Sequence, residues 1–133
     1  MMEQSLVFVK PDGVSRGLVG EVIRRFEARG LRLLQLTMMT LTDGLADAHY
    51  AEHLGKAFYP DLKMYVMSGP IVVMVLEGVN AVGAIRKMLG ATNSSQAEAG
   101  TIRGDFALTT SHNIVHASDS VESAAREIRN FFG

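Results

Sequence analysis

Six consecutive apolar residues, Ile71 to Leu76, constrain this chain more than any other feature. The run is strand-sized, far short of the ~18 apolar residues that a membrane span needs. Gly69-Pro70 introduces it. A second apolar, β-branched segment, Ser5 to Lys10, stops at Pro11-Asp12-Gly13. Both read as strands bounded by turns. Between and after them the period changes. Leu18, Val22, Ile23 and Phe26 recur at helical spacing and end at Gly30. Leu34, Leu36 and Met38 alternate with polar neighbours, which predicts a half-buried strand facing inward through those three residues. From Thr42, a predicted N-cap, to Met67 the pattern is helical but broken at Gly55 and Pro60. Val79, Val82, Ile85, Met88 and Leu89 predict a further helix closed by Gly90. Asp105 to Thr109 reads as a fourth strand. Val121, Ala124, Ala125, Ile128 and Phe131 predict a last amphipathic helix, capped by Asp119 or Ser120.

The order is strand, helix, strand, helices, strand, helix, strand, helix. Two β-α-β passes predict an α+β fold: a ferredoxin-like, four-stranded antiparallel sheet with helices packed on one face. A helical hairpin insertion and a C-terminal helix complete it. The 133 residues suit one domain, residues 1–133, without linker or repeat. A net charge of −1 argues against a dedicated nucleic-acid binder. There are no cysteines, hence no disulfides or thiolate metal sites. The N-terminus lacks the basic flank and apolar stretch of a secretory signal, so the expected location is the cytoplasm.

Neither common glycine motif for phosphate is present. There is no G-x-x-x-x-G-K-[ST], and Gly13, Gly17 and Gly20 are wrongly spaced for G-x-G-x-x-G. If the chain handles nucleotides, side chains must hold the phosphates. His49-Tyr50-Ala51-Glu52-His53 fits the inverted zinc-protease pattern H-x-x-E-H. No third ligand accompanies it, and it reads as an exposed polar helix face. The informative segment is Asn113 to Ser120. There His116 precedes a helix start rich in hydroxyls and carboxylates, whose free N–H groups suit an anion. A neutral imidazole near such a terminus can attack phosphorus; an incidental histidine beside a cap is the plainer reading. Lys10, Arg86 and Arg103 are separated cations beside turns, as phosphoryl transfer needs if they converge. Phe58, before Tyr59-Pro60, can stack on a base or fill a local core contact. Residues 91 to 104 lack periodicity, which in a compact domain marks a functional loop.

Taken together, VKPDGV (9 to 14), RGLVGE (16 to 21), HYAEH (49 to 53), SGPIVVMVLEG (68 to 78), LGATN (89 to 93), GTIRGDF (100 to 106) and NIVHASDSVESAAREI (113 to 128) resemble the nucleoside diphosphate kinase family. The similarity runs from about residue 4 to 132. It implies transfer of the γ-phosphate from a nucleoside triphosphate to a nucleoside diphosphate, by a ping-pong route through phosphorylated His116 and with broad base tolerance. Lys10 would touch phosphate and sugar. Arg86, Thr92 and Arg103 would hold the phosphates, Asn113 the sugar hydroxyls, and Phe58 and Leu62 the base. Tyr50 would support Lys10 and His116, with Ser118 and Glu127 behind the histidine. Mg2+ would ride on the nucleotide phosphates without a protein ligand. Partners would be nucleotides such as ATP and GTP and further copies of the chain, as a tetramer or hexamer, with no membrane and no dedicated nucleic-acid binding. The alternative is a catalytically weak scaffold or nucleotide-binding module of the same fold. One departure stands out: the family commonly has glycine after the histidine, where this chain has Ala117. If that position required positive φ, alanine would cost roughly 1 kcal/mol. The expectation is an ordinary backbone angle and near-normal activity.

Overall fold

The computed structural model describes all residues, 1–133. Its elements follow the chain as β1 (Met2–Val9), α1 (Pro11–Ser15), α2 (Val19–Ala28), β2 (Arg32–Met39), α3 (Asp43–His49), α4 (Tyr59–Val66), β3 (Ile71–Val79), α5 (Ala81–Leu89), α6 (Ile102–Phe106), β4 (Val115–Ala117) and α7 (Val121–Phe132). The sheet has the order β2-β3-β1-β4, and every neighbouring pair is antiparallel. This is the ferredoxin-like arrangement, with α3 and α4 as the inserted hairpin.

Helices cover both faces of the sheet, not one. Val7, Val9, Val72, Met74 and Leu76 pack with Val22 and Phe26 of α2 and Ile85 and Leu89 of α5. Their alternate neighbours Leu6, Phe8, Ile71 and Val73 pack with Ala46, Tyr59, Val66, Ile128 and Phe131 of α3, α4 and α7. Successive side chains point to opposite faces. The two central strands therefore have no solvent face, and their apolar runs are uninterrupted for that reason. Each large side chain buried this way contributes about 1.5–3 kcal/mol.

Four local expectations need correction. In β2, Leu36 and Met38 are 50% and 60% exposed. A bulge between Leu33 and Gln35 adds one residue, so Leu36 and Met38 pair with Met74 and Val72 on the same face as Leu33, and they are exposed because β2 is the end strand of the sheet. Leu33 and Met39 are the ones that touch the cores. Second, Asp105–Thr109 is not a strand. Thr101 caps α6 by accepting from the Gly104 N–H at 3.0 Å, which draws Asp105 and Phe106 into a helical turn. The fourth strand is Val115–Ala117, too short to carry a period; it pairs Phe8 with His116. Third, Val79 ends β3 at 65% exposure instead of starting the helix stripe. Fourth, α7 buries Ala124 and Glu127, while Val121 and Ala125 face water. The capping expectations hold: Thr42 accepts from Leu45 N–H, and Ser120, not Asp119, caps α7.

Candidate active site

β4 carries His116 to the edge of the sheet beside β1, where its ring stacks on Phe8 with centroids 4.8 Å apart. The turn before it has an unusual shape. Ile114 has φ 76°, a rare conformation for a β-branched residue. The Val115 N–H donates back to the Asn113 carbonyl at 2.8 Å, closing a γ-turn of the strained hand. The surroundings over-determine this strain, as they must if it is to persist. Lys10 N–H donates to the Ile114 carbonyl at 2.7 Å, and the Ile114 N–H donates to Asp12 Oδ2 at 3.2 Å. Arg103 is 6% exposed and donates to three carbonyls, those of Asn113 (3.3 Å), Gly90 (3.0 Å) and Val115 (2.8 Å). Only glycine fits after it, because a Cβ on residue 104 would lie 1.8 Å from the Glu98 carbonyl oxygen.

On the far side of the imidazole, α7 brings up Glu127, which is 4% exposed. His116 Nε2 lies 2.8 Å from Glu127 Oε1, and the Ser118 hydroxyl donates to the same oxygen at 2.9 Å. Burial pushes the Glu127 carboxyl up, while Ser118 and Arg126 draw it back. As a carboxylate it has only acceptors, so Nε2 carries the proton and Nδ1 keeps its lone pair. Burial, then the charges of Lys10, Arg103 and Arg86, push His116 down to about 3. The ring is therefore neutral at neutral pH and basic at the nitrogen that no protein group occupies.

A cleft of about 370 Å3 opens in front of this ring. Lys10, Arg86, Thr92, Arg103, Asn113, Phe58 and Leu62 all line it. Lys10 Nζ donates to Asn113 Oδ1 at 2.7 Å, and Asn113 Nδ2 donates to the Thr92 carbonyl at 3.3 Å. Arg86 reaches the Ala117 carbonyl at 3.4 Å. None of Lys10, Arg86 or Arg103 forms an ion pair with a carboxylate. Burial, then Arg103, lowers Lys10 to about 8, and burial, then Arg86, lowers Arg103 to about 10. Three cations crowded together without a direct carboxylate partner form a site that a polyanion stabilises. Phe58 keeps 51% of its surface exposed, with Lys56 Nζ over its ring at 5.8 Å from the centroid and His53 edge-on at 5.1 Å.

Every site residue expected from the sequence lines this cleft except Ser118, which lies behind it against Glu127. Tyr50 packs edge-on to His49 (4.5 Å) and makes no hydrogen bond to Lys10 or His116. His49 is not on an exposed polar face. It is 4% exposed, edge-on to His116 at 4.6 Å, and its Nδ1 has no partner. α3 ends at His49 and Ala51–His53 forms a separate 3-10 turn, so the H-x-x-E-H spacing does not lie on one helix. Ligand atoms of His49, His116 and Glu127 lie within 4.8 Å of one another, yet cations from four residues face them: Lys10, Arg86, Arg103 and Arg126. That field suits an anion, not a dication. Asp12, Tyr65, His49 and the twisted Ile114 carry no signal in one sequence, because their roles arise only from contacts across the chain.

Two expected outcomes arise here. Burial, then His116, lowers His49 to about 3 from an ordinary 6.5, and His116 itself falls to about 3. Between those limits the unfolded chain binds more protons than the folded one. Stability is thus complete above about pH 6.5 and declines as pH falls toward 3. Urea unfolding should show this, and His49→Phe should shrink the difference between about pH 7.5 and about pH 5 by roughly 1–2 kcal/mol. An unchanged slope would show that His49 is already protonated in the fold. Ala117 lies in β4 and is absent from the positive-φ positions, so no strain arises from its methyl. Ala117→Gly should change turnover less than about threefold, under ~1 kcal/mol.

Comparison with known proteins agrees with this geometry. The family model for nucleoside diphosphate kinase matches residues 3–133. The nucleoside diphosphate kinase of Symbiobacterium thermophilum is 55% identical over 132 residues, covering 99% of this chain and 88% of that one. That of Methanocorpusculum labreanum is 54% identical over 127 residues, covering 96% and 85%. Among solved structures, a nucleoside diphosphate kinase family protein from Babesia bovis superimposes with TM-score 0.95 at 44% identity, covering 98% and 88%. The halophilic nucleoside diphosphate kinase from Halobacterium salinarum, in complex with CDP, gives TM-score 0.96 at 42% identity, covering 99% and 88%. With fold, cleft and near-full-length similarity in agreement, the chain belongs to the nucleoside diphosphate kinase family, the phosphotransferases that move a γ-phosphate from nucleoside triphosphates to nucleoside diphosphates through a phosphohistidine.

Proposed function

We propose that His116 is the nucleophile of this chain and that residues 1–133 form one catalytic domain around it. The observation that carries the assignment is a neutral imidazole, held through Nε2 by Glu127, in a cleft where Lys10, Arg86 and Arg103 have no carboxylate partner. Nδ1 attacks the γ-phosphorus in line with the β–γ bridging oxygen. The N–P bond forms as that P–O bond breaks, and the nucleoside diphosphate leaves with the bridging oxygen's electrons. A second diphosphate enters the same cleft and reverses the step, so donor and acceptor alternate. Lys10, Arg86 and Arg103 neutralise charge on the moving phosphoryl group and leaving oxygen, with Thr92 beside them. Asn113 meets the sugar hydroxyls. Phe58 and Leu62 hold the base by stacking and contact, which reads no base edge and so admits ATP, GTP and, as in the halophilic relative, CDP. Glu127 and Ser118 keep the ring oriented, and Tyr50 buttresses the wall through His49.

Mg2+ is part of the substrate in this reading. Glu127 is already engaged by His116 and Ser118, and the phosphate end of the cleft is walled by cations. The ion therefore arrives on the phosphates and offsets their charge. No helix is long and apolar enough to cross a membrane. The reading puts the enzyme in the cytoplasm as a homo-oligomer, a tetramer or hexamer. Incubation with γ-labelled ATP and Mg2+, without acceptor, tests the site. The expected result is close to one acid-labile phosphate per chain, discharged by any nucleoside diphosphate. Label that persists in His116→Ala would move the nucleophile elsewhere.

A further inference from the structure

Asp12 follows Lys10 by two residues and belongs to none of the phosphate contacts above, yet it joins two distant parts of the molecule. Its Oδ2 accepts from the Ile114 N–H at 3.2 Å, inside the strained turn that aims His116. Its Oδ1 accepts from the Tyr65 hydroxyl. The Asp12 N–H donates back to that same hydroxyl at 3.3 Å. Tyr65 thus makes two bonds to one residue, and Asp12 spends each carboxylate oxygen on a different element. Burial, then Asp12, pushes the Tyr65 phenol far up, so it stays a donor at any working pH.

Tyr65 lies near the end of α4, the helix that Phe58 precedes. Phe58, Leu62 and Tyr65 follow i, i+4, i+7 spacing and share one helix face. That face, with Lys10, Thr110 and His112, borders a slot of about 500 Å3 at the mouth of the cleft. The Tyr65 ring also packs on His112, one residue before Asn113, with centroids 4.6 Å apart. One end of α4 therefore offers the surface for a base, and its other end is tied through Asp12 to the backbone two residues ahead of His116.

We infer that Asp12 and Tyr65 are positioning residues that couple seating of the base on α4 to the aim of the His116 imidazole. A base on the Phe58–Leu62 face restrains α4; Tyr65 then holds Asp12, and Asp12 holds the Ile114 N–H in its left-handed turn. Binding energy from a part of the nucleotide that does not react is converted into orientation of the part of the protein that does. The inference rests on the reading of His116 as nucleophile and Phe58 as base platform.

The test compares two donors in single-turnover phosphorylation: Mg-ATP, and Mg-tripolyphosphate, which has phosphates but no base. Wild-type protein should be labelled by both, at least about tenfold faster by ATP. Tyr65→Phe keeps the ring and the contact with His112 but loses the hydroxyl. Loss of a hydrogen bond to a charged group should cut the ATP advantage by about tenfold. The loss should appear in the rate at saturating ATP more than in the concentration for half-saturation. Asp12→Ala removes both ties and should slow both donors, because the turn before His116 is released. Several outcomes overturn the inference: a Tyr65→Phe protein with an unchanged ratio of donor rates, one in which both rates fall together, or a wild type with no preference for ATP. Absence of label from ATP in the wild type would instead sink the assignment of His116, so the two failures are distinct.

Discussion

Replacing His116 with alanine should lower turnover by about four orders of magnitude or more and leave nucleotide binding within about threefold. The two effects separate because the imidazole and the anion site come from different residues. Bond making needs the Nδ1 lone pair: Lys10 and Arg103 are cations at neutral pH even with their lowered values of about 8 and about 10, and His49, the neighbouring neutral imidazole, is 4% exposed behind His116. Binding needs Lys10, Arg86, Arg103 and Asn113, none of which makes a hydrogen bond to the imidazole. A coupled assay gives the turnover, and calorimetric titration with a nucleoside diphosphate gives the affinity. Turnover within tenfold of wild type would mean that phosphate passes directly between nucleotides or through another side chain. The alanine chain should also fold, since the ring's loss leaves Phe8 and Phe131 in contact.

Arg103→Met should be the most damaging change to the fold among the cleft residues. The guanidinium donates to three carbonyls from two segments, Gly90 at the end of α5 and Asn113 and Val115 on either side of the strained turn. At 6% exposure, water cannot replace those donors. Stranding buried acceptors costs about 1–3 kcal/mol each, so the total should be several kcal/mol, roughly 3–5 after relaxation. For a chain of this length each kcal/mol lowers the melting temperature by about 3–5 °C, so a fall of more than ~10 °C is expected. Arg103→Lys restores the charge but not the planar fork of donors, and should recover less than half of the loss. Activity should fall with both, because the cation and the turn are lost together. A melting temperature within 2–3 °C of wild type for Arg103→Met would show that the turn holds itself through Lys10 and Asp12 alone.

Much of this architecture was readable from local pattern. The strands at Leu6–Val9 and Ile71–Leu76, the helix of Val22 and Phe26, and the caps at Thr42 and Ser120 depend on neighbours a few residues apart. Where reading failed, a distant partner had decided the outcome. The bulge beside Leu33 is set by pairing with β3, and the place of β2 at the edge of the sheet exposed the side chains that alternation had placed inside. β4 exists only because Val7, Phe8 and Val9 present a free edge to three residues that have no strand period of their own. The covering of both faces follows from α7 and the α3–α4 hairpin folding back across β1. Periodicity reports which side of an element is apolar; it does not report how many elements arrive to cover it.

The site divides in the same way. The amino-acid order alone supplied the chemical types: an imidazole beside a hydroxyl-rich helix start, scattered cations, a ring before a proline, and segments similar to a known kinase family. Ala117 in place of glycine was also visible, and only the backbone angle at that residue showed that it costs nothing. The tertiary structure decided what those types become. It buried Glu127 on the inner face of α7, which fixes the proton on Nε2 and frees Nδ1. It partly buried His116 and Lys10 and set them beside further cations, which keeps the imidazole neutral and lowers the lysine to about 8. It also tied Asp12 to Tyr65 and Ile114. The physical reason is range. Secondary structure and capping are settled over one or two turns of chain, whereas protonation state, strain and charge convergence depend on groups as far apart as Lys10 and Asn113, 103 residues, that meet only when the sheet closes.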